Sequence, residues 1–177
     1  MFAIRLAAQA RTPQERLISM SDDARGFDLV AGIDYSDVSD AVLETALDIA
    51  RHRRAHLHVI SIAGGYGPPR LPDDLADEAK HSFREQALQT LESFVAERSA
   101  RLEQQGHGVD RSLLSVFVDF GNPQERILAL AQKVQADLIV VGTHGKRGVD
   151  RLVLGSVAES VLRHAHCTVA VVRALSA

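Results

Sequence analysis

A chain of 177 residues, 46% hydrophobic and 24% charged, has the make-up of one globular domain. Its net charge of -3 excludes a general electrostatic pull toward nucleic acid or acidic membranes. A single cysteine, Cys167, excludes an internal disulfide, and no apolar run approaches the ~20 residues that span a bilayer.

Residues 1–26 carry four arginines, the acids Glu15, Asp22 and Asp23, and only a short apolar run, Leu6-Ala7-Ala8. They lack the apolar core and cleavage site of a secretion signal, and the acids argue against an organelle-targeting peptide. A poorly ordered tail is expected here, ahead of a domain at 27–177. Met20, just before a Ser-Asp-Asp stretch, is a credible alternative start to Met1.

From Phe27 strand-like and helix-like patterns alternate. FDLVAGID reads as a buried strand ending near Asp34, after which Ser36 is placed to cap a helix with Asp37 and Asp40 in its first turn. Val38, Val42, Ala46, Ile49 and Ala50 recur there at helical spacing. A second strand covers Leu57 to Ile62, and the breaker-rich GGYGPPRLP follows. Phe83, Ala87, Leu91, Phe94, Val95, Arg98 and Leu102 mark one face of a long helix, closed by Gly106 and Gly108. Leu113 to Val118 is the third strand. Asn122, Pro123 and Glu125 form a capping-box pattern, and Ile127, Leu128, Ala131 and Val134 an apolar stripe. DLIVVG is the fourth strand. A helix after Ser156 carries Val157, Val161 and Ala165 on one stripe with Leu162 beside it, and Thr168 to Arg173 is the fifth strand. Five strands separated by helices predict an α/β fold, a mostly parallel sheet with helices on both faces.

The most telling segment is ADLIVVGTHGKRGVDRLVLGSVAES. An apolar strand ends in Gly142; Gly145 follows, then the Gly155-Ser156 pair at the start of an amphipathic helix. Glycines let a backbone approach closely, and the unpaired N–H groups of a helix start attract negative oxygens. The segment reads as a phosphate trap. Ser156 also heads a capping-box pattern with Glu159, so its hydroxyl has a purely structural alternative role. His52, His56 and His58 share no helical face, which disfavours a metal site. Cys167, opening an apolar strand, reads as a small core residue.

From Phe27 to Arg173 the chain resembles the universal stress protein family, nucleotide-binding branch. Gly142, Gly145, Gly155 and Ser156 match that branch's glycine spacing, and Asp34-Tyr35-Ser36, His58-Val59-Ile60 and Gly121-Asn122-Pro123 match in order. The resemblance implies a single doubly wound five-stranded parallel sheet, order 3-2-1-4-5, with ligand at its C-terminal edge. It implies ATP with Mg²⁺. Gly142, Gly145 and Gly155 would admit the triphosphate; Ser156 and Val157 would donate amides. Thr143 and His144 would contact phosphate or ribose, while Lys146, Arg147 and Arg151 would add charge. Asp34 would lie beside the ribose and help place the metal ion. Backbone near Ile33 and Val59 would read adenine, with Gly32 permitting close approach.

The function expected is that of a cytoplasmic ATP-binding regulatory protein, whose nucleotide-dependent conformation controls an unknown protein partner. A homodimer through the 168–173 edge strand is also implied. No activating base stands out, so hydrolysis would be slow at most. The alternatives are a nucleotide-independent structural dimer module and an adenylating enzyme; Ser-Gly-Gly-x-Asp-Ser, His-Ile-Gly-His and P-loop signatures are all absent.

Overall fold

A computed structural model describes residues 26–63, 77–143 and 154–173. The elements run β1 (Asp28–Ile33), α1 (Ser39–Arg53), β2 (His56–Ala63), α2 (Asp77–Gln104), a short 3-10 turn (Arg111–Leu113), β3 (Leu114–Phe120), α3 (Pro123–Val134), β4 (Leu138–Gly142), α4 (Ser156–His164) and β5 (Thr168–Val172). All strand pairs are parallel, in the order β3-β2-β1-β4-β5. The predicted α/β architecture and strand order are therefore those of the protein.

Alternation along the central strands divides the core in two. Leu29, Ala31 and Ile33 of β1 join Leu57 and Val59 of β2 beneath α1 and α2, where Leu43, Leu47 and Leu91 are fully buried. Val30, Ile60, Ile139 and Val141 point the other way, against Ile127 and Leu130 of α3 and Val161 of α4. Burial on both faces explains why β1 and β4 read as continuous apolar runs.

Helix ends depart from the sequence reading in instructive ways. Helix α1 begins at Ser39, not after Ser36, because the Ser36 carbonyl accepts the Ser39 amide in a preliminary turn. Asn122 stands at the N-cap of α3 with Pro123 at its first position, yet its side chain makes no capping bond, so the capping box is not closed. Gly155 is the N-cap of α4, which moves Ser156 into the first helical position and removes its capping-box role; Glu159 instead accepts from Arg163 Nη2 at 2.8 Å. Ala158 and Val161, rather than Val157, form the buried edge of this helix. The long α2 ends as expected: Gly106 takes φ 79, and the amides of Gly106 and His107 donate to the carbonyls of Glu103 and Leu102.

Among the described residues no helix is long and apolar enough to cross a membrane.

Candidate functional site

Strand β1 has β2 on one side and β4 on the other, so the chain changes direction of winding between β1 and β4. In open parallel sheets the crevice at such a point, beyond the C-terminal strand ends, is where ligands bind. The groups gathered at that edge come from the β1–α1 connection and from the junction of β4 with α4.

Asp34 follows the last residue of β1. Its Oδ1 accepts from the Ser36 amide (3.0 Å), the Ser36 hydroxyl (2.6 Å) and the Ser39 hydroxyl (3.0 Å). One carboxylate thus orders the whole entry to α1, a task the sequence reading gave to Ser36. Tyr35, next in the chain, holds φ 59.

Across the switch point, Gly142 ends β4 in register with Val172 of β5. The Thr143 amide donates to the Val172 carbonyl at 2.8 Å, and the Gly155 amide donates to the Thr143 carbonyl at 2.7 Å. The start of α4 is thereby fastened to the end of β4. The first intrahelical bond of α4 runs from the Glu159 amide to the Gly155 carbonyl, so the amides of Ser156, Val157 and Ala158 have no carbonyl one turn earlier in the helix. Partial positive charge collects at this end, complemented by Arg163 and His164 only at the far end. Ser156 is exposed there. Thr143 is 8% exposed, and its buried Oγ1 has no hydrogen-bond partner among the described residues. A buried hydroxyl without a partner is costly.

The sequence profile of the Universal stress protein family matches residues 28–173. The chain belongs to the universal stress protein family. A universal stress protein of Methanocaldococcus jannaschii is 33% identical over 149 residues, covering 82% of this chain and 81% of that one. The structure of the universal stress protein UspA from Lactobacillus plantarum is 26% identical with a TM-score of 0.56, over 85% of this chain and 100% of that one. A universal stress protein structure from Archaeoglobus fulgidus, in complex with dAMP, has the same fold at 23% identity and a TM-score of 0.51, over 82% and 96% of the two chains.

Within this universal stress domain, Ile33, Asp34, Gly142, Thr143, Gly155, Ser156 and Val157 all lie at or next to the C-terminal edge, on β1, on β4 or at the start of α4. His144, Gly145, Lys146, Arg147 and Arg151 lie outside the described residues. Gly155 needs correction in detail, because its amide is spent on Thr143 rather than left for a ligand.

Two adenine assignments change. Gly32 opens no ligand space: a Cβ there would stand 2.9 Å from Ile127 Cδ1 and 3.4 Å from Val141 Cγ1, so its bareness serves the packing of α3. Val59 is inside the sheet. The His56 amide donates to the Phe27 carbonyl, which turns residues 58, 60 and 62 toward β1 and Val59 toward β3, where it pairs with Val116. Its backbone is consumed by the ladder. Ile62, unlike Val59, has a backbone group past the ladder: it turns toward β1, its amide serves the last β1–β2 pair, Ile33 with Ser61, and its carbonyl follows that pair. The signal was present in the predicted strand itself, which ended at Ile62.

The histidines settle elsewhere. At the opposite edge of the sheet, His58 Nε2 lies 2.9 Å from Asp28 Oδ1 and His56 Nδ1 lies 3.9 Å from the same oxygen. Among the described residues no group of three or more acids, histidines or cysteines is arranged to hold a metal ion. Burial, and then the Asp137 carboxylate, push the Cys167 thiol above its ordinary range, which suits a packed residue rather than a nucleophile.

Proposed function

We propose that this universal stress protein binds an adenine nucleotide, ATP with Mg²⁺, in the crevice between β1 and β4, and that occupancy controls its association with a protein partner. The observation that carries this reading is the start of α4, whose first amides have no helical carbonyl behind them, fastened by Gly155 to Thr143 at the topological switch point. The triphosphate would rest on the Ser156 and Val157 amides, with Gly142 and the Thr143 hydroxyl beside it. His144 and Gly145 would add phosphate or ribose contacts, and Lys146, Arg147 and Arg151 would add charge. Asp34 would face the ribose and share a magnesium ion with phosphate oxygens, the mode that suits an ion reluctant to lose its waters. Adenine would lie beside Ile33 and meet the carbonyl of Ile62. The dAMP complex of the Archaeoglobus relative supports an adenine nucleotide as ligand. A ligand that touches both sides of a loop favours the loop state it contacts better, and that supplies a regulatory signal without hydrolysis.

The two sheet edges favour a homodimer through β5. On β3 the Arg84 guanidinium lies over Phe120, and its Nη1 donates to the outward Val118 carbonyl at 3.4 Å. Helix α2 thus guards that edge. Residues 169–172 of β5 are only half-buried, and a second copy would pair them antiparallel about a two-fold axis.

Native mass spectrometry of freshly purified protein tests the nucleotide reading. Bound ATP or AMP, or uptake of added ATP with Mg²⁺, is the expected result. A protein that stays empty in millimolar nucleotide would instead be a nucleotide-independent dimer module.

A further inference from the structure

Tyr35 occupies a left-handed backbone region that bulky residues rarely adopt, and such a conformation persists only where its surroundings over-determine it. Two side-chain contacts do so. The phenol is hydrogen-bonded with the Ser61 hydroxyl, on the last β2 residue paired with β1. Its ring meets Phe94 of α2 edge-on, with centroids 5.4 Å apart and planes at 88°. Phe94 in turn lies under the Arg98 guanidinium, 3.7 Å from the ring centroid. Arg98 then reaches α1, where Nε and Nη2 donate to Asp40 Oδ1 at 2.7 and 2.6 Å. A continuous set of contacts leads from Asp34 through Tyr35 into the long helix α2.

We infer that Tyr35 couples occupancy of the crevice to helix α2: bound nucleotide displaces Tyr35 from its left-handed state and releases α2 around Phe94. This rests on the nucleotide site proposed above. The physical argument is competition for one carboxylate. Asp34 Oδ1 already accepts from Ser36 and Ser39. A magnesium ion or ribose hydroxyl that draws on Asp34 pulls against those donors, and the first backbone torsion to respond is that of the adjoining Tyr35. A relaxed φ redirects the ring, which then cannot keep both Ser61 and Phe94. The structure shows the anchored state; the proposal adds a released one, which bound nucleotide would favour through its differential contacts. A released α2 presents altered side chains on the helix that covers β3 and α1, and this is the surface offered to a partner.

Hydrogen exchange on the full chain, with and without saturating ATP and Mg²⁺, reads the coupling, while native mass spectrometry of the same samples reads binding. The expected result is exchange in residues 88–101 faster by on the order of fivefold when nucleotide is bound. The Phe94→Leu variant is expected to bind nucleotide and to lose that response. Tyr35→Phe, which keeps the ring but not the Ser61 bond, is expected to weaken it and serves alone should Phe94→Leu not fold. Nucleotide bound with unchanged α2 exchange, or a variant responding like the parent, overturns the coupling and leaves the site intact. An unmodified chain that binds no nucleotide overturns both.

Discussion

The amide of Gly155 donates to the carbonyl of Thr143 at 2.7 Å, so the two ends of the glycine-bearing segment meet at one point beside β5. Helix α4 therefore starts at the edge of the sheet where β4 stops. The consequences can be tested residue by residue.

Gly155 has φ -66 and ψ 151, a backbone any residue adopts. Replacing it with valine keeps the amide and its bond to Thr143 but sets a branched side chain at the helix entrance. We expect an unchanged melting temperature and ATP affinity at least about tenfold weaker, a loss of about 1.4 kcal/mol. Calorimetric titration of the folded variant decides it, and unaltered affinity contradicts the assigned geometry.

At Gly32 the expected effect is on stability. An alanine Cβ would crowd Ile127 Cδ1 at 2.9 Å within a packed core. Overpacking of this kind costs about 1–3 kcal/mol. A lower urea midpoint should follow, and Ile127→Val, which removes the offending methyl, should recover part of it in the double variant.

The edge strand offers a cleaner separation of folding from assembly. The Val172 carbonyl accepts from Thr143, so residues 170 and 172 turn their backbone groups to β4 while Val171 turns its own outward. Val171→Pro removes an outward donor and spares the β4–β5 ladder, a setting in which edge strands tolerate proline. Sedimentation should show a monomer with native circular dichroism. A dimer of undiminished affinity would place the interface elsewhere.

Alkaline pH should weaken the fold through Tyr35. Burial raises its phenol above the ordinary tyrosine value, and the Ser61 bond offsets this only in part. A raised folded-state value means that the folded protein holds the proton more tightly than the unfolded chain. The stabilising contribution is then complete below about pH 10 and is lost as pH rises through the folded value. Urea midpoints measured from pH 9 to 11.5 should fall more steeply for the parent than for Tyr35→Phe; parallel curves would exclude the effect.

Much of this was legible in the chain because it is local. Leu29 to Ile33 of β1 and Leu138 to Gly142 of β4 are runs without a polar side chain, since both faces are covered, and the stripe from Phe83 to Leu102 follows helical spacing over many turns. What escaped depends on partners distant in the chain. Val59 and Ile62 are both apolar residues of one strand, and only the register with β1 shows which has a backbone group past the last β1–β2 pair. Ser36, Asn122 and Ser156 all have the side chains of helix caps, yet Asp34 gathers the Ser36 and Ser39 hydroxyls, Gly155 takes the cap of α4, and Asn122 stands at the N-cap of α3 without a side-chain bond.

The amino-acid order by itself determined the alternation of strands and helices and the glycine spacing that marks the family, because periodicity and backbone freedom belong to neighbours in the chain. The tertiary structure alone decided how those residues are used: that the bare face of Gly32 is filled by Ile127, that the Gly155 amide is committed to Thr143, and that Tyr35 is held against Phe94. Each is a close contact between segments far apart in sequence, and such contacts are set by how the elements pack, which no local pattern encodes.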